Sequence, residues 1–204
     1  MHELLINLAS GFTPTGSLNK DVPTFLNSHK LPKTAAHCQA VANKAREIAL
    51  QFGEDENAAE AAGWLHDISA VIPTSERAQA AGKLGIPVLP EEAAFPMILH
   101  QKISVELAKE IFGVDHQAVL SAVGCHTTLK ANASRLDMVV FTADKISWDQ
   151  SGNPPYLEAV LAGLEKSLDA GVLVYLTYMW ERKDSLQVLH PWLAAAYTEI
   201  SAIE

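Results

Sequence analysis

The chain has 204 residues, of which 49% are hydrophobic and 19% charged, a balance that fits one folded domain and excludes a disordered or low-complexity chain and a second full domain. Its formal charge of −9, from 24 acidic against 15 basic residues with no basic cluster, argues against nucleic acid as a partner. A small phosphorylated ligand stays open, because a bound cation supplies positive charge locally.

In chain order, residues 1–10 carry a short apolar pattern (Leu4, Leu5, Ile6, Leu8) that stops at Gly11. A Pro/Gly/Thr/Ser stretch runs to Asn19, and a second short helix is expected from Asp21, as N-cap, to His29. The N-terminus lacks the charged-then-apolar pattern of a signal peptide, and apolar runs such as Leu136 to Ala143 break well short of membrane-spanning length, so a cytoplasmic location is expected. Residues 1–32 read as a helical appendage, with Pro32 as separator, and residues 33–204 as the main helical domain of a single globular unit.

From Thr34 to Phe52 the spacing of Val41, Ala45, Ile48, Ala49 and Phe52 predicts one helix closed by Gly53, with His37 one turn before Val41 on its inward face. Residues 56–69 form an Ala-rich segment that brings His66 and Asp67 to an inward-pointing helix end. Pro73 to Arg77 opens another helix ending near Gly82 to Gly85, and the Pro-rich connection at Pro87, Pro90 and Pro96 could cover a site. Helical patterns recur at 97–112, 116–126, 134–147, 155–169 and 171–189, and Pro191 starts a terminal helix. Val139, Val140 and Phe141 have β-propensity, but Leu136, Val139, Val140 and Ala143 share one helical face that Asp144 extends. The expected class is all-α.

Eight histidines are present, and His2, His29, His116 and His190 are expected as surface or satisfied core residues. The other four keep different company: His37, His66 followed by Asp67, His100 at the end of an apolar run, and His126 between Cys125 and Thr127. Asp144, on an apolar face, needs either a metal or an ion pair with Lys145 or Arg135. His37, His66-Asp67 and Asp144 can converge across a helical bundle. Imidazole and carboxylate ligands suit divalent Fe, Mn, Co or Zn, and the lack of thiolates argues against a structural zinc, which leaves a hydrolytic centre. Cys38 and Cys125 form no CxxC pair and are expected as buried thiols lining the wall behind His37 and His126.

The ordered set His37, His66-Asp67, His100, His126-Thr127 and Asp144 resembles the HD superfamily of metal-dependent phosphohydrolases. Within it, Ala61 to Ile68, His126-Thr127-Thr128, Asn132, Ser134, Leu136 and Ala143 to Ile146 resemble the YqeK-type symmetrical bis(5'-nucleosyl)-tetraphosphatases, which cleave diadenosine tetraphosphate into two ADP. The likeness covers roughly residues 33 to 150. It implies an HD-domain helical bundle with one or two divalent ions, iron first and Mn, Co or Zn as alternatives. His37, His66, Asp67 and Asp144 would hold the first ion, and His100 and His126 a second ion or the substrate. Catalytic roles fall to Asp67, His66, His100 and His126, with Asp67 bridging ions or orienting water. Substrate contacts fall to His100, His126, Thr127 and Gln150. The implied partner is a small phosphorylated nucleotide, with no nucleic acid and no membrane, and a homodimer is compatible with this.

The chain departs from that pattern at Thr34, where the family has Arg, at Ala70, where it has Lys, and at Leu129, where it has Gly. Ser147-Trp148-Asp149-Gln150 replaces Glu-Pro-x-Arg. Loss of such cationic or phosphate-facing groups should weaken a polyphosphate substrate more than a monoester. Lys33, Lys102, Lys130 and Arg135 are candidate substitutes, otherwise ordinary surface charges. Two other readings follow: an HD-type nucleotidase or phosphomonoesterase, and a metal-binding sensor module that keeps its ligands without turnover.

Overall fold

The computed structural model describes residues 2–148 and 152–202. Among these, every regular element is helical, so the all-α expectation holds: α1 (Glu3–Leu8), α2 (Leu18–Ser28), α3 (Pro32–Phe52), α4 (Glu56–Leu65), α5 (Arg77–Lys83), α6 (Pro90–Ala94), α7 (His100–Glu110), α8 (Gln117–Cys125), α9 (Arg135–Ile146), α10 (Leu157–Leu164), α11 (Leu168–Trp180) and α12 (Pro191–Ile200). Central helices α3, α4, α8 and α9 pack on one another; α2 flanks α3 and α4, α7 lies on α8, and the α10–α11 pair crosses α9.

At the N-terminal end, α2 begins three residues before the predicted cap. Ser17 holds the cap position, and buried Asp21 instead accepts the backbone N–H groups of Thr15, Gly16 and Ser17 at 2.9–3.1 Å and the Thr15 hydroxyl at 2.8 Å. Burial alone would raise the Asp21 pKa, but these donors outweigh it and lower it. The preceding loop is thereby folded back on the helix, and Leu5, Val22, Phe25 and Leu26 enter the common core. Pro32, expected as a separator, is the first residue of α3, where its missing N–H costs nothing.

Backbone contact sets the spacing of α3 and α4. A Cβ on Gly63 would lie 2.5 Å from the Ala42 Cα and 2.7 Å from its nitrogen. The small faces Ala42, Ala45 and Ala49 against Ala59, Ala62 and Gly63 allow this approach.

Within the Pro-rich connection, α6 and a 3-10 turn at Pro96–Leu99 give it regular structure. Fully buried Glu92 accepts from Leu89 N at 2.8 Å and Lys102 Nζ at 2.7 Å, with His190 Nε2 at 3.3 Å. That cluster accounts for Lys102 and His190 and ties the connection to α7 and α12.

Leu129 stands where the resembled family has glycine. It is fully buried, holds the left-handed φ of 55°, and donates its N–H to Cys125 O at 2.7 Å, ending α8. The glycine of the family pattern therefore corresponds here to a backbone position rather than a phosphate-facing one. A left-handed leucine is strained by about 1–2 kcal/mol, which its burial, worth roughly 1.5–3 kcal/mol, offsets.

Replacing Gly63 by Ala should lower unfolding stability by about 1–3 kcal/mol, because the methyl meets main chain that cannot rotate away. Urea unfolding monitored by circular dichroism reads this; an unchanged midpoint would refute backbone contact at the seam.

Candidate metal centre

Three of the four histidines reach the centre by one local device. His66 follows the last residue of α4, His126 follows the last residue of α8, and His100 follows the 3-10 turn that leads into α7. At such ends backbone carbonyls lack helical donors. The ring Nδ1 bonds the carbonyl three residues back in each case: His66 to Gly63 at 2.8 Å, His100 to Met97 at 2.5 Å and His126 to Val123 at 2.8 Å. Because a carbonyl only accepts, Nδ1 carries the proton in the neutral ring and Nε2 presents a bare lone pair. His37, on α3, differs: its Nδ1 is buried without a partner, and the ring is oriented by Asp144 Oδ1, 3.2 Å from Nε2.

These lone pairs converge. His100 and His126 Nε2 lie 2.9 Å apart, and His37 and His66 Nε2 3.2 Å apart. Asp67 divides its oxygens between the pairs, Oδ1 standing 3.4 Å from His100 and 3.6 Å from His126, and Oδ2 3.7 Å from His66 and 4.0 Å from His37. Asp144 Oδ1 adds to the second pair, 3.6 Å from His66. Ring acceptors this close need a cation or a proton between them, and an all-imidazole and carboxylate donor set fits a divalent transition metal. The donors form two groups that share one carboxylate: His37, His66 and Asp67, and Asp67, His100 and His126.

Lys145 resolves the choice at Asp144 in both directions at once. Its ammonium donates to Asp144 Oδ2 at 2.7 Å and to His126 O at 3.2 Å, leaving Oδ1 to the histidines, whereas Arg135 pairs with Glu54 and Asp169. Burial opposes the charge on both partners, but their attraction prevails, holding Lys145 above and Asp144 well below their ordinary pKa values. Burial also opposes charge on His66, yet Asp67, Asp144 and Cys38 lift its pKa well above the usual imidazole value. The metal-free centre thus draws a proton onto His66, which an incoming cation must displace. Burial pushes His100 down to about 4 and also lowers His126, so both are neutral near pH 7.

A cavity of about 330 Å³ opens on this centre. His37, Asp67, His100, Thr127 and Asp144 line it together with Lys145, Trp148, Tyr156 and Tyr175. His66 and His126 are buried behind them and do not line it, which removes His126 from the expected substrate contacts. Asp67 keeps 27% of its side chain open. The Thr127 hydroxyl stands 3.0 Å from His100 Nε2. Gln150 lies outside the described residues.

Sequence reasoning missed the tyrosines and the supports behind the ligands. Buried Gln101 accepts from Thr127 N at 3.1 Å and donates to Thr128 Oγ1 at 3.1 Å, binding α7 to the end of α8. Ser104 donates to Ser69, which donates to His100 O, at 2.9 and 2.8 Å. Arg77, held by Ile72 O and Met97 O, adds positive charge felt at Asp67 and His100. Cys38 is buried beside His66, where burial raises its pKa, while Cys125 neighbours Asp137 and Lys130 instead. His2, His29 and His116 serve as caps or bond a carbonyl, in keeping with structural roles.

The model of the HD domain family matches residues 34–149. The chain is 45% identical over 139 residues to a Lactococcus lactis subsp. cremoris protein described only as an uncharacterized protein in the pepC 5' region, across 68% of this chain and 70% of that one. It is 29% identical over 110 residues to the symmetrical bis(5'-nucleosyl)-tetraphosphatase of Bacillus subtilis, across 54% of this chain and 59% of that one. In fold it is similar to a Clostridium acetobutylicum protein described as a predicted HD superfamily hydrolase involved in NAD metabolism, with a TM-score of 0.81 at 22% identity, covering 90% of this chain and 96% of that one.

His66→Ala and Asp67→Ala should each purify with metal content reduced at least about tenfold against wild type by elemental analysis, because each opens the donor groups. Full occupancy in both variants would remove the site. Lys145→Met leaves Asp144 with only the imidazoles of His37 and His66 to offset its charge and should destabilise the metal-free protein by about 3 kcal/mol, the lower end for a broken buried pair. Added metal should restore more of the melting temperature in this variant than in wild type, and equal restoration would rule out a compensating role for Lys145.

Proposed function

The chain belongs to the HD domain family of metal-dependent phosphohydrolases, and from that premise we propose that it hydrolyses a phosphoanhydride bond of a nucleotide, with symmetrical cleavage of diadenosine tetraphosphate to ADP as the leading reaction. The observation that carries the reading is Asp67, whose two oxygens each face a different histidine pair. His37, His66, Asp67 and Asp144 would hold one divalent ion, and Asp67, His100 and His126 a second. Iron is the first choice, with Mn, Co or Zn as alternatives. Such an ion supplies Lewis acidity, making water acidic enough to ionise near neutral pH and offsetting charge on phosphoryl oxygens.

The side chains supply the rest. Asp67, partly open to the cavity, would orient a water beside the ions. Burial opposes its charge, but His66, His126 and His100 hold its carboxyl well below the usual carboxylate range, so it stays ionised and is not the proton acceptor. Lys145 places its charge beside the phosphoryl position, and the Thr127 hydroxyl can donate to a phosphoryl oxygen. His100 and His126 are neutral near pH 7 and a nearby cation would lower them further, so neither can protonate a leaving group. An anhydride, whose leaving phosphate is already a stable anion, suits that constraint better than an ester whose alkoxide needs a proton.

A second reading, an HD-type nucleotidase, is favoured by one observation: the cations nearest the cavity are engaged, Lys145 by Asp144 and Arg77 by two carbonyls. Few free donors remain for a chain of four phosphates.

Product analysis by ion-exchange chromatography separates the readings. Diadenosine tetraphosphate should yield ADP alone, and Gln150→Arg should raise kcat/KM about tenfold, the worth of one charged hydrogen bond. If the dinucleotide is untouched in both proteins and a mononucleotide is dephosphorylated well, the nucleotidase reading replaces this one. If metal-loaded protein turns over neither, the sensor reading does.

A further inference from the structure

The cavity does not end at His37. His37, Ser147 and Trp148 form a wall shared with a groove of about 540 Å³, whose other side comes from Lys33 of α3 and Leu157 of α10. A ligand with its phosphoryl group among the histidines can continue past His37 into this groove. Both hollows fall within the roughly 300–1,000 Å³ typical of small-molecule sites.

Two side chains there are free to meet a ligand. Trp148 is 38% exposed, and among the described residues it is the one aromatic among the large apolar side chains left so open. Its indole stands at 87° to the Tyr156 ring with centroids 6.4 Å apart, and Tyr156 packs on Tyr175 at 4.8 Å, so the exposed ring adjoins an aromatic pair. Lys33, one helical turn before His37 on α3, has no ion-pair partner among the described residues. In a chain of net charge −9, an unpaired cation beside the centre lessens the repulsion of an anionic ligand.

We infer that this groove receives the nucleobase of the substrate, with Trp148 as the surface on which the base stacks and Lys33 as a cation that draws the phosphorylated ligand in. The inference rests on the phosphohydrolase reading and adds to it where the base lies, so that affinity should depend on the base as well as on the phosphoryl group. Stacking on a π-face tolerates any base. Trp148 therefore separates nucleotides from sugar phosphates and not one base from another.

Adenosine 5'-monophosphate and ribose 5-phosphate differ at the base, and their equilibrium binding to metal-loaded protein isolates its contribution. Wild type should bind the nucleotide about tenfold more tightly, with quenching of tryptophan emission. Trp148→Ala should bind both equally, at the ribose 5-phosphate level, and Trp148→Phe should keep most of the preference. Lys33→Ala should weaken both ligands by one factor and make the loss of affinity with added salt shallower. Equal wild-type affinities, or a preference that survives Trp148→Ala, overturn the inference whether or not any substrate is turned over. A preference that depends on Trp148, in protein that hydrolyses nothing, counts against the phosphohydrolase reading and leaves the groove assignment standing.

Discussion

Bare imidazole nitrogens 2.9 and 3.2 Å apart, beside two carboxylates in the middle of a helical bundle, repel one another unless positive charge stands between them. Burying each carboxylate costs several kcal/mol. Lys145 compensates one of the two, so Asp67 and Asp144 leave the inner cluster one unit negative when the histidines are neutral. A divalent ion turns that deficit into a surplus, which is the sign an anionic phosphoryl group requires. Without the ion, the proton drawn onto His66 is the cheaper stand-in.

The fold meets this demand with helix ends. Carbonyls left over at the ends of α4 and α8, and in the 3-10 turn before α7, would otherwise need water or a cap. Here they accept from imidazole rings, so one hydrogen bond both ends an element and aims a ligand nitrogen. Further out, Gln101 and the Ser69–Ser104 pair hold those ends against one another. Local helix termination and the assembly of the centre are thus the same set of bonds.

Much of this was legible in the sequence because ligands sit at fixed places in periodic segments: His37 on an apolar face, His66-Asp67 after an Ala-rich run, Asp144 extending a helical stripe. Two of the element boundaries that failed did so for tertiary reasons. Asp21 has the chemistry of a helix cap but bonds the loop before it, and Pro32 starts a helix that it was expected to precede. Leu129 departs from the family's glycine, and only its φ of 55° shows that the position concerns backbone shape. Tyr156 and Tyr175 carry no local signal, since α9 lies between them and the His126 segment in the chain and only the packing of α10 and α11 on α9 brings them to the cavity. Gln101, Ser69 and Ser104 likewise read as ordinary polar residues until their partners are known.

The absent side chain at Gly63 has a consequence for motion. With main chain touching main chain, α3 and α4 shift together, and the spacing of His37 and His66 is insulated from rotamer changes in the core around them. The opposite pair is held differently, through the amide of Gln101 and two serine hydroxyls, all fully buried, so that side chains rather than main chain set its spacing. One half of the centre is therefore spaced by direct backbone contact and the other through side-chain hydrogen bonds.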